Sequence, residues 1–251
     1  MKKLLALVTL LFSTSVFAAS PCDQMVPFGY PTTPTIPGTV QLCRIQYTVK
    51  EDTTRKVPLY SAELLLKEDS AGNNTRVNAF KPDPDLDVGQ RAELADYKTV
   101  SSVDDRGHMT PFEDTKANSA AALQTFYLSN MVPQNLHLNR GLWRAIENKT
   151  RGYAAKSADG VYVITGPIFD GTPQTAGPDH VAIPTRIYKV VIDKNTMQGV
   201  AFITPNTSPN LGDTPAKFEV PITNVEQATG INFTPTAPNQ NFKNVIGKEF
   251  Q

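Results

Sequence analysis

The residues best suited to chemistry lie in two short stretches. The first runs Asp104-Asp105-Arg106-Gly107-His108-Met109-Thr110-Pro111 and holds one of three histidines in the chain. A neutral imidazole accepts a proton from water near neutral pH, because its unperturbed pKa is about 6.5. The neighbouring Gly107 allows backbone or substrate to approach closely. The second stretch runs from Ser129 through Asn130 to Gln134, then from Leu138 to Arg151, with Asn139, Trp143, Glu147 and Arg151 spaced every fourth residue. On a helix each such step turns about 400°, so the four stay near one stripe. An apolar stripe would be core, whereas amide, carboxylate and guanidinium groups are candidates for holding ions and anions. The residues alone equally fit a surface helix with a Glu147–Arg151 pair.

Taken together, the stretches resemble a known family. Asp105 to Pro111, DRGHMTP, is similar to the signature of the DNA/RNA non-specific endonuclease family, part of the ββα-metal (His-Me finger) superfamily. SNMVPQNLHLNRGLWRAIENKTR resembles that family's second signature. Thr75-Arg76, Phe80 and Pro82-Asp83-Pro84 resemble its upstream arginine-bearing segment, and the similarity extends in blocks from about Val40 to Phe233. The resemblance implies hydrolysis of phosphodiester bonds in DNA and RNA without sequence specificity. It implies His108 as general base on the attacking water, and Asn139 as the one direct protein ligand of a Mg²⁺ ion, with Mn²⁺ as the alternative. Glu147 would hold the metal's water, Arg76 and Arg151 would stabilise charge on the phosphate, and Asn130 would help orient histidine and phosphate. Asp105 and Arg106 would shape the loop that holds His108.

Physical chemistry is compatible with those roles. Mg²⁺ is hard and sheds water reluctantly, so one neutral amide oxygen plus waters is a reasonable shell. Asn139 and Glu147 stand about 12 Å apart along a helix axis, which favours a water-bridged role for the carboxylate. Arginine grips phosphate with two parallel hydrogen bonds where lysine offers a point charge.

The elements that position these groups follow from patterning. Val40–Val49, Leu59–Leu66, Val161–Thr165, Arg186–Asp193 and Gln198–Thr204 read as strands. Lys116–Leu128, Arg140–Lys156 and Val225–Gly230 read as helical. Strands precede and follow the helices without regular alternation, which predicts an α+β fold: a mainly antiparallel central sheet flanked by helices, with a ββα-metal finger holding the site. Asn73–Gly89 reads as a loop; its Asp83-Pro84-Asp85-Leu86-Asp87 lacks the glutamate that a calcium loop needs, since Leu94 stands there. Trp143 is expected to pack the helix on the sheet, His137 to lie at the surface and His180 in a loop.

The start of the chain bears on compartment. Met1-Lys2-Lys3 and the apolar run Leu4 to Phe17 predict a signal peptide over residues 1–18, hence a secreted or periplasmic protein with no membrane span in its mature form. Residues 19–39 read as a Pro-rich arm and 40–251 as the endonuclease domain. Export would place Cys22 and Cys43 in an oxidising compartment, and a bridge between them would contribute roughly 3 kcal/mol. These cysteines and the scattered histidines lack zinc-site spacing.

Basic and acidic residues are balanced at 24 each. Bulk electrostatics therefore do not hold a polyanion, and DNA or RNA would have to be drawn by a local arginine cluster and a metal ion. A catalytically inactive nucleic-acid-binding protein on the same scaffold, and a hydrolase of small phosphodiesters, are the alternatives. An inhibitor protein or a homodimer partner is left open.

Overall fold

β-branched and aromatic runs pair into one antiparallel sheet of seven strands. A computed structural model describes residues 20–98 and 104–237, so the expected signal peptide lies outside the described residues. In chain order the strands are β1 (Thr39–Cys43), β2 (Thr48–Asp52), β3 (Val57–Leu65), β4 (Asp104–His108), β5 (Met131–Asn135), β6 (Val161–Ile168), β7 (Thr175–Ala176), β8 (Val181–Ala182), β9 (Arg186–Asp193), β10 (Gly199–Pro205) and β11 (Glu219–Val220). The main sheet has the order β1-β2-β3-β6-β9-β10-β11, while β4 pairs only with β5 and β7 only with β8. The helices are α1 (Ser119–Gln124), α2 (Arg144–Ala154) and α3 (Ile222–Thr229).

Central strands are buried along their whole length because both sheet faces are covered. In β6, Val161 and Val163 join a core beneath α2 that includes Trp143 and Ile146. The alternate residues Tyr162 and Ile164 join a second core with Ile222 and Val225 of α3. This is the period-two alternation of a strand with apolar partners on both sides. The mainly antiparallel α+β architecture expected from the sequence is therefore present.

Several local expectations are corrected. Val40–Val49 is not one strand but most of β1, a turn and the start of β2, with Thr39 opposite Asp52 and Cys43 opposite Thr48. The Pro-rich segment is packed on the domain: Val26 and Phe28 join the α3-side core, and Thr32 bridges to Asn232. Cys22 and Cys43 form a disulfide, as expected. The loop at Asp83 is an anchor, with its carboxylate accepting from Arg44 at 2.5 Å and from the Ser129 hydroxyl.

Candidate active site

The site is built where β4, β5 and the start of the long helix meet. Asp105 lies opposite Gln134 and His108 opposite Met131. The DRGH segment is thus a strand and not the loop expected for it. Charged residues and a glycine have little intrinsic preference for a strand, and pairing to the apolar β5 overrides that. Gly107 is required by packing: a Cβ added there would meet Gln134 Oε1 at 2.1 Å and Gln134 Cβ at 2.6 Å. The neighbour is a protein side chain, not the backbone or substrate expected.

His108 closes β4 and is 7% exposed. Phe80 and Phe126 flank its ring, with centroids at 5.6 and 5.2 Å. Burial, reinforced by the positive charges of Arg76 and Arg106, pulls its pKa down to about 3. The imidazole is therefore neutral at physiological pH, the form in which a general base starts.

The chain just after His108 is clamped. Met109 N–H donates to the Asn130 carbonyl at 2.9 Å, and Thr110 N–H to Asn130 Oδ1 at 3.0 Å. Asn130 Nδ2 donates back to the carbonyls of Thr110 and Thr125 at 2.8 and 2.9 Å. Asn130 is fully buried, and its side chain is spent on backbone. It holds the strand end that carries His108 and does not line the cleft.

After β5 the helical segment opens with a π-helical stretch, Leu138–Trp143, that runs into α2. Its i→i+5 hydrogen bonding changes the angular step. Trp143 accordingly leaves the expected stripe and is fully buried in the core, while Asn139, Glu147 and Arg151 remain on the cleft wall. Asn139 Nδ2 donates to Asp105 Oδ2 at 2.9 Å. Arg140 donates to both oxygens of the same carboxylate, at 2.7 and 2.6 Å. Burial alone would raise the Asp105 pKa, but these hydrogen bonds outweigh it and lower it.

Glu147 has its pKa pushed up to about 7 by burial, although Lys189 and Arg151 pull the other way. Arg151 pairs with Asp114 at 2.5 Å and with Asn148 at 2.6 Å, not the Glu147 pair of the surface-helix alternative. Asp114 is itself buried, so the pair is held away from bulk water. Arg76 donates to Asn78 at 3.1 Å and lies 5.1 Å from the Phe126 ring centroid. The Arg106 guanidinium sits 4.0 Å over Phe80.

These groups open into one cleft of about 680 Å³. Its walls bring together His108, Asn139, Glu147, Arg76, Arg151, Asp105 and Arg106 from the sequence reading, leaving out only Asn130. Arg140, Arg144 and Glu113 also line it and were given no role in the sequence reading. Both arginines stand within the helical signature, but their exposure on the cleft rim is not readable from the sequence. Asp114, which holds Arg151, carries no motif signal. His137 and His180 are exposed and off the cleft.

A histidine closing the first strand, an antiparallel second strand, and an asparagine opening the following helix define a ββα-metal protein. The chain belongs to the DNA/RNA non-specific endonuclease family, whose model matches residues 26–240. The human Nuclease EXOG, mitochondrial, is 32% identical over 225 residues, covering 83% of this chain and 59% of that protein. Nuclease C1 of Cunninghamella echinulata var. echinulata is 36% identical over 216 residues, covering 78% and 84%. A chain from the crystal structure of the EndoG/EndoGI complex superposes with a TM-score of 0.77 at 26% identity, over 90% of this chain and 96% of that one. The chain spans about three fifths of the length of the first curated relatives it matches.

These relatives correct one expectation. The EXOG proteins, Endonuclease G and Nuclease 1 are named as mitochondrial, which contradicts a secreted or periplasmic location. Among the described residues no helix is long and apolar enough to cross a membrane.

Proposed function

We propose that this chain is a metal-dependent endonuclease that hydrolyses phosphodiester bonds of DNA and RNA. The observation that carries the reading is that a neutral His108 and the Asn139 carboxamide open onto the same arginine-lined cleft. Membership of the family supports it.

The donor set fits a hard cation. The Asn139 amide nitrogen is engaged by Asp105, so its oxygen is the atom that would hold the cation. Glu147 is a carboxylate whose burial outweighs its cationic neighbours, so it gains from a further positive charge and would hold metal-bound water. A hard cation held there would take one amide oxygen from the protein and complete its shell with water. Mg²⁺ or Mn²⁺ bound there supplies Lewis-acid stabilisation of the leaving oxygen.

The protein's own part is proton transfer and charge placement. His108 accepts the proton of the water that attacks phosphorus. Arg76 and Arg151 face the phosphoryl oxygens as negative charge grows, each already fixed by a protein partner, so little reorganisation is needed. Asn130 keeps the His108 strand end in place. Contacts of this kind go to phosphate and carry no sequence information. The solved EndoG/EndoGI complex supports an inhibitor protein as a partner for this chain.

The test is digestion of plasmid DNA and of RNA with Mg²⁺ or Mn²⁺, run on wild type and His108→Ala. Cleavage by wild type, abolished by EDTA and reduced at least about 10²-fold by the substitution, is the expected result. Binding without cleavage would instead identify an inactive scaffold, and cleavage of small diesters alone a different hydrolase.

A further inference from the structure

Five arginines line the cleft, and four of them are held by the protein. Arg76 is tied to Asn78, Arg140 to Asp105 and Arg151 to Asp114. Arg106 rests on the Phe80 ring. Arg144 is different. It is the first residue of α2 and is exposed, and among the described residues its side chain has no hydrogen bond, ion pair or ring contact. Arg140, whose side chain is 67% exposed, lies one turn before it on the same rim.

The contrast has a physical meaning. A guanidinium fixed by protein partners is preorganised, and so suits the phosphate at which charge develops. One left free at a rim is not preorganised. Its five donors and full charge suit attraction of a phosphate that does not react. The chain has no net charge to gather a polyanion from a distance, with 24 basic and 24 acidic residues. Local, unpaired positive charge is therefore where length discrimination can arise.

We propose that Arg144 binds a backbone phosphate flanking the scissile one, so that the site favours a nucleic-acid strand over an isolated phosphodiester. This rests on the nuclease reading of the cleft. Arg140 adds charge on the same rim while it holds Asp105.

The experiment compares wild type, Arg144→Gln and Arg144→Lys on a long DNA duplex and on bis(p-nitrophenyl) phosphate, across a range of NaCl. Glutamine keeps helix preference at an exposed position, so the fold is expected to survive. For Arg144→Gln on duplex, KM rises about tenfold while kcat falls much less. The slope of log kcat/KM against log salt becomes shallower by about 0.9, the loss of one phosphate contact. The loss on the small diester is several times smaller than the loss on duplex. Arg144→Lys restores the slope and only part of the KM, since it keeps charge without the bidentate fork. Equal losses on both substrates, or a duplex slope and KM unchanged in Arg144→Gln, overturn the assignment. A wild-type protein that cuts neither substrate sinks the nuclease reading and this inference with it, whereas active wild type with an indistinguishable Arg144→Gln sinks the inference alone.

Discussion

At the scale of single residues, the site rests on a histidine whose charge is suppressed by where it sits. Burial and the two arginines hold His108 at a pKa of about 3, against about 6.5 in an unfolded chain. Between those values the unfolded state binds a proton that the folded state refuses. Unfolding is therefore favoured by acid, and the stability held above pH 6.5 is lost progressively toward pH 3. His108→Gln removes that titration while keeping a polar side chain. Chemical denaturation at pH 7 and pH 5 should show wild type losing about 2 kcal/mol more than His108→Gln over that interval. Equal losses in the two proteins would mean that the imidazole titrates normally. A bound phosphate would offset the arginine charges, so the free protein is the state in which the base is weakest.

Among the elements, the finger strand is the most exacting. Gly107 is crossed by Gln134, whose Oε1 and Cβ would stand 2.1 and 2.6 Å from any added Cβ. Because the Gln134 Cβ cannot swing aside, Gly107→Ala should destabilise by about 1–3 kcal/mol and slow cleavage by shifting His108. Gln134→Gly in the same chain should recover part of both losses, so urea unfolding and cleavage rates of the four proteins form a double-mutant cycle. Additive effects would mean that the two positions do not meet. The same strand shows what a sequence withholds. DRGH is visible as chemistry, yet its strand state depends on pairing with β5. The long strands β6, β9 and β10 were legible from β-branched runs, and β3 from its leucines and Tyr60. The turn between β1 and β2 was not, because Arg44-Ile45-Gln46-Tyr47 contains no glycine, proline or asparagine. It is held by Arg44 N–H to the Tyr47 carbonyl at 2.9 Å and by Ile45 N–H to Gln124 Oε1 at 2.8 Å, the second a tertiary contact. The helical stripe was legible for Asn139, Glu147 and Arg151. Trp143 left it because a π-helical stretch, set by packing, changes the period.

Across the whole molecule, the N-terminal segment is fastened at several points, and the disulfide is only one of them. Val26 and Phe28 are buried against the α3 side of the sheet, and Thr32 and Asn232 exchange two backbone hydrogen bonds of 2.9 Å. Arg44, next to Cys43, forms ion pairs to Asp83 and Asp85 at 2.5 Å through atoms that the bridge does not involve. The native arrangement therefore has redundant support, and the bridge acts mainly by restricting the unfolded chain across a separation of 21 residues. For a loop of that size the stabilisation is about 3 kcal/mol. For a domain of this length each kcal/mol corresponds to about 2–4 °C, so Cys22→Ala/Cys43→Ala should lower Tm by about 6–12 °C. Neither cysteine lines the cleft. The double variant should therefore cut DNA at the wild-type rate at temperatures well below its own Tm, and reductant should reproduce the Tm shift in wild type alone. An unchanged Tm would show that the remaining contacts already exhaust the segment's freedom, and lost cleavage in a folded double variant would show that the bridge reaches the His108 strand through Arg44, Asp83 and Ser129.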